Sequence, residues 1–174
     1  MALDELGGFS LRYPTAVAAL ICLLTAAVEG LMAGSGVRAQ FAKLKMPRFA
    51  PSLAVWSLIG VGQYTIFFLV LRSALVRQSS YSRLTLGLAI TLLLFNATWN
   101  AVFFRLRDLK MSFLLFIPYD ALALGMAVVL WVDNNPWSHW FLVYPAYLSL
   151  ATLWGYRVWR LNGIPERSGP RHVS

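Results

Sequence analysis

Along the chain, apolar side chains run in long unbroken stretches, and polar and charged residues gather in the short segments between them. A helix rises about 1.5 Å per residue, so crossing a hydrocarbon core of about 30 Å takes roughly 20 apolar residues. Stretches of that kind cover residues 14–34, 51–71, 84–104, 111–131 and 140–159. None alternates apolar and polar positions in the short pieces of a membrane β-barrel, so helices are predicted. The expected architecture is an all-α membrane protein, a bundle of five transmembrane helices forming one domain over residues 1–174, with a disordered tail at 163–174.

Composition supports placement in lipid. Of the 174 residues, 59% are hydrophobic and 13% charged, and the mean hydropathy is +0.63, too few charges to cover a water-exposed globule. The acidic, weakly basic stretch from Met1 to Tyr13 makes a poor signal-peptide start, so the first apolar run is expected to remain as a helix.

Charge then suggests an orientation. Arg12, Arg72, Arg77 and Arg83 fall on the N-terminal side, and the other 11 of the 15 basic residues, in the connections around residues 38–48 and 105–110 and the C-terminal tail, fall on the opposite side. The positive-inside rule places the C-terminus in the cytoplasm, for a protein of a bacterial inner or a mitochondrial outer membrane. The net charge of +8 is read as orientation and contact with membrane lipid; with the basic residues split over two faces, no nucleic-acid partner is expected. The single Cys22 rules out an internal disulfide, and no metal site is expected.

The long connection over 35–50 ends in Met46-Pro47-Arg48-Phe49-Ala50-Pro51, an ordered turn into the second helix. Four tryptophans, Trp131, Trp137, Trp140 and Trp159, sit at helix ends, as interfacial aromatic belts do. Trp56, Trp99 and Trp154 lie deeper, either as packing or as pocket wall. In the third helix Asn96, Trp99 and Phe103 share one face, and the carboxamide requires that face to look into the bundle. Two acids lie within the apolar runs. Glu29, near its helix end, is expected to reach the interface. Asp120, near mid-span, is either a hydrogen-bonded carboxyl facing another helix or part of a proton or substrate relay. Ala97 and Ala101 form a small-xxx-small pair, the expected contact of a homodimer.

These segments resemble the translocator protein family, also called the tryptophan-rich sensory or peripheral benzodiazepine receptor-like (TspO/MBR) proteins. The family's third helix reads Asn-x-x-Trp-x-x-x-Phe-Phe, matched by Asn96, Trp99, Phe103 and Phe104. In the fifth helix Tyr144, Ala151, Thr152, Tyr156, Trp159 and Arg160 fall into register, and Pro47 to Ser52 is similar to the family's proline-rich segment before helix two. Counting on from there places Tyr64 on a family tyrosine. The chain departs at Gly60, with Trp56 one turn earlier on the same face, and at Tyr147, where the family carries tryptophans, so the resemblance does not by itself imply the porphyrin photochemistry proposed for bacterial members through those two rings.

The resemblance implies a five-helix bundle with a ligand pocket capped by the loop between helices one and two. Phe49, Trp56, Tyr64, Asn96, Trp99, Asn100, Phe103, Tyr144, Tyr147 and Ala151 would form it, mostly apolar with a few polar groups; Leu148 is expected to face outward. Leu153-x-x-Tyr156-x-x-x-Arg160 fits a loose sterol-contact pattern. The expected function is binding of a hydrophobic small molecule, a porphyrin, haem or sterol, for handling, transport or sensing, with no obligate cofactor. The alternatives are a membrane-embedded enzyme acting on such a ligand, with Asp120 or Glu29 as acid or base, and a small transporter. Binding is favoured over catalysis because the sequence offers no nucleophile-base pair, phosphate loop or metal cluster.

Overall fold

The computed structural model describes residues 13–163; the expected tail falls outside them except for its first residue, Gly163. The chain folds as α1 (Pro14–Ala33), α2 (Val37–Lys43), α3 (Leu53–Arg77), α4 (Ser82–Asn100) continued by a π-helical stretch (Ala101–Leu106), α5 (Leu109–Val132), α6 (Ser138–Phe141) and α7 (Val143–Asn162). Among the described residues all regular structure is helical.

Local chemistry explains the boundaries. Pro14 opens α1, where its missing N–H costs nothing. Ser52 caps α3 by accepting from the Val55 N–H, and Asp108 caps α5 by accepting from the Met111 N–H at 2.8 Å, each satisfying a donor left over at a helix start. Gln78 and Arg107, both left-handed, end α3 and the π-helical stretch.

Four helices, α1, α3, α4 with its π-helical end, and α5, are long and apolar enough to cross a membrane. They correspond to the first four of the five expected spans. Helix α7 matches α1 in length at 20 residues, but Arg157, Arg160 and Asn162 make its last turns polar. The expected 140–159 span is also two elements, with Trp140 in the short α6. Leu20, Leu23, Leu24 and Leu31 of α1 are all more than half exposed, as side chains facing acyl chains are. This is an integral membrane protein.

Helix α5 packs on α7, and α1 packs on α3 and α4. In lipid such contacts depend on close backbone approach and interhelical hydrogen bonds, because lipid tails are as apolar as the core. Gly155 permits the first: a Cβ there would stand 2.9 Å from the Phe116 ring. Ala97 is 1% exposed, turned into its own bundle, whereas Ala101, the other member of the small-residue pair, is half-buried.

Polar contacts define the two ends. Arg72 donates to Thr15 and Arg77 to the Asp133 carbonyl, so the start of α1, the end of α3 and the α5–α6 turn share one end. At the other, Asn162 accepts from the Lys45 N–H at 2.9 Å and donates to its carbonyl at 3.0 Å, tying the α2–α3 connection to the end of α7. That second end gathers Arg38, Lys43, Lys45, Arg48, Arg105, Arg107, Lys110, Arg157 and Arg160, as the charge sorting required.

Candidate functional site

The basic end of the bundle holds a cavity of about 110 Å³ bounded by residues of α1, α2, α3, α4, α5 and α7. Its wall is aromatic. Trp154 is the hub, with ring centroids 5.0 Å from Trp56, 5.3 Å from Phe103 and 6.3 Å from Trp99. Phe41 stacks on it from α2, at 6.3 Å and 17°, and Tyr147 meets Trp56 edge-on at 6.0 Å. Such tilted and edge-on pairs suit the ring quadrupoles and resist collapse into the space they enclose. Trp99 is further fixed by donating its indole N–H to the Ser112 carbonyl at 3.0 Å.

The polar component is Glu29. One carboxylate oxygen accepts from the Tyr64 hydroxyl at 2.8 Å and the other from the Asn100 amide at 3.0 Å, so this one side chain joins α1, α3 and α4. Glu29 therefore does not reach for the interface as expected. Its position on α1 lies where α3 and α4 pack, and two donors there draw it inward, since a carboxylate in low dielectric needs hydrogen bonds. Among the described residues no cationic side chain pairs with it.

Of the residues expected at a pocket, Trp56, Asn96, Trp99, Asn100, Tyr147 and Ala151 line the cavity. Tyr64 lines an adjoining groove together with Trp56 and Asn100. Phe49, Phe103 and Tyr144 lie elsewhere. Phe49 is 52% exposed on the connection before α3, and the cap comes from Phe41, one helical element earlier. Phe103 is buried behind the wall, stacked on Trp99 at 5.0 Å. Tyr144 is buried between Phe67 and Tyr119, its hydroxyl hydrogen-bonded to that of Tyr119.

Leu148, expected to face outward, is 2% exposed and lines the cavity. Leu153, Tyr156 and Arg160 are exposed on the outer face of α7, away from the cavity; Tyr156 packs on Phe113 at 5.5 Å. Asp120 accepts from the Thr152 hydroxyl at 2.8 Å, a carboxyl facing another helix, and does not line the cavity.

Sequence reasoning left Phe41, Gln63, Phe116, Tyr119 and Leu148 out of the site, and left Trp154 open between packing and pocket wall. A signal existed for Trp154: Tyr147, Ala151 and Trp154 follow one another at i, i+4, i+7, the spacing of one helix face. Phe41 carried none, because the sequence reading did not foresee a helix over 37–43. Among the described residues no three His, Cys, Asp or Glu side chains gather as a metal site would require.

The model of the TspO/MBR family matches the chain over residues 18–160. No curated protein matches it.

Proposed function

The chain belongs to the TspO/MBR family, and from that premise we propose that it binds a flat hydrophobic ligand, a tetrapyrrole or a sterol, in the aromatic cavity at the basic end of the bundle. Family membership carries a membrane ligand-binding or ligand-handling role in general; the ligand classes are our reading. The supporting observation is the combination of Trp56, Trp99, Tyr147 and Trp154 rings with the Glu29, Asn96 and Asn100 polar groups around one enclosed space. Ligand sites between bundle helices have that mixture, apolar walls for affinity and a few polar groups for orientation. The basic residues at this end would face the cytoplasm under the positive-inside rule, and their charge favours ligands with acidic substituents reaching the head-group region.

The test is a titration of protoporphyrin and of a sterol against the protein in lipid nanodiscs, comparing wild type with Tyr147→Ala. Removing the ring takes away stacking and apolar contact worth about 1–3 kcal/mol, an affinity loss of roughly fivefold to over a hundredfold. Unchanged affinity for both ligands in folded protein would place the binding site elsewhere. The same titration separates binding from chemistry: a bound porphyrin shifts its absorption band once and keeps it, whereas a substrate is consumed with turnover.

A further inference from the structure

Outside the bundle, at its basic end, α5 and α7 pack side by side. Helix α5 begins there and α7 ends there, and Gly155 lets the two approach closely, a Cβ at that position standing 2.9 Å from the Phe116 ring. One turn before Phe116, Phe113 meets the outer side of α7. Its ring stacks on Trp159 at 5.6 Å and 13° and lies 5.5 Å from Tyr156, and Tyr156 meets Trp159 edge-on at 6.1 Å. These three rings form a platform apart from the cavity, whose wall they do not join.

Cations frame the platform. Lys110 stands one turn before Phe113, Arg157 and Arg160 flank Trp159, and all three are exposed. Among the described residues none of them is paired with an acid; Asp108, the acid nearest Lys110 in sequence, is engaged as the cap of α5. Toward mid-membrane the surface turns apolar: Ile117, one turn from Phe113, is 59% exposed and Leu153, one turn from Tyr156, is 46% exposed. Beyond them the Asp120–Thr152 hydrogen bond joins the two helices.

We propose that this face of α5 and α7 is a binding site for an anionic glycerophospholipid of the leaflet at the basic end. The phosphate sits between Lys110 and Arg160, the glycerol region on Tyr156 and Trp159, and an acyl chain runs past Ile117 and Leu153. Charge chooses this occupant. Basic clusters between transmembrane helices on the cytoplasmic side suit anionic head groups, and a guanidinium grips phosphate with two parallel hydrogen bonds. Amphipathic rings favour the level between head group and hydrocarbon. A sterol brings one neutral hydroxyl and leaves the cations without a counter-ion, and a zwitterionic lipid brings a cation of its own.

The test titrates phosphatidylglycerol, and phosphatidylcholine with the same chains, into the delipidated full chain in neutral detergent and reads the first bound lipid by native mass spectrometry. Wild type is expected to bind phosphatidylglycerol about tenfold or more tightly than phosphatidylcholine. Lys110→Gln combined with Arg160→Gln is expected to abolish that preference. Arg38→Gln combined with Arg48→Gln removes the same charge from the same end, but beside Val37 of the α1–α3 groove and before α3, and is expected to keep it. All four side chains are exposed, so unfolding midpoints should stay near wild type. Phe113→Leu, which removes the platform ring and no charge, is expected to weaken both lipids and leave the preference between them. Equal affinity for the two lipids in wild type overturns the site. The same loss of preference in both paired variants overturns it too, since the whole positive end would then attract the lipid without a site. Glycerophosphoglycerol, the head group without chains, is expected to leave the bound lipid in place; displacement at equal concentration overturns the lipid and assigns the cations to a free phosphate ester.

Discussion

At the scale of single residues, the site depends on side chains that hold others in place. Glu29 is the sharpest case, because deleting it leaves the Tyr64 hydroxyl without its acceptor and the Asn100 amide with the Asn96 carbonyl alone. Interhelical hydrogen bonds in membranes average about 0.6 kcal/mol, whereas stranding buried donors costs about 1–3 kcal/mol. Glu29→Ala is therefore expected to destabilise more than Tyr64→Phe, which removes one bond and leaves the carboxylate held by Asn100 through its other oxygen. Thermal unfolding in detergent compares the two, and equal midpoints would show that the carboxylate does not join three helices. The sequence showed that an acid lay at membrane depth but not which way it turned, because that depends on donors from two other helices. Trp154 failed differently. Its helix-face spacing was visible, but so was the same spacing for ordinary packing, and only the convergence of Phe41, Trp56 and Trp99 on its ring distinguishes the two.

Among the elements, the four most apolar helices were legible because lipid imposes a length and a composition that soluble folds do not. Their ends moved by a few residues, and the fifth span divided at Leu142, where α6 gives way to α7. Interfaces were less legible, since a small residue permits close approach without naming the partner. Ala97 illustrates this: it is buried in its own bundle, so Ala97→Leu is expected to overpack the core and cost about 1–3 kcal/mol. A loss of thermal stability in detergent, measured on monomer, checks it; full stability with a weakened cross-linked dimer would restore the intersubunit role. Gly155→Ala at the α5–α7 contact should drive the Phe116 ring from its place, since the new methyl carbon would sit 2.9 Å from it. Phe116 also lines the cavity, so lowered stability and altered ligand affinity are expected together.

Across the whole molecule, the reciprocal Asn162–Lys45 hydrogen bonds and the Phe41–Trp154 stack join the α2–α3 connection to the end of α7. This closes the bundle at its basic end over the cavity. The orientation follows from charge: the basic end is expected in the cytoplasm. In a Cys22→Ala background, an impermeant maleimide added outside intact cells should label Ser80→Cys, beside the α3–α4 turn, and spare Ala42→Cys on α2. Labelling of Ala42→Cys alone would reverse the assignment.

If the aromatic space at the basic end holds the ligand, filling that space abolishes binding. Ala151 is 2% exposed and lines the cavity between Tyr147 and Trp154. A phenylalanine there adds a ring to a space of about 110 Å³ without introducing a polar group. Protoporphyrin and sterol titrations of Ala151→Phe, in nanodiscs and on protein whose helical content and unfolding midpoint stay near wild type, should show binding lost or reduced by about a hundredfold, the order of 3 kcal/mol. Wild-type affinity for both ligands in that folded variant would place the ligand outside this cavity.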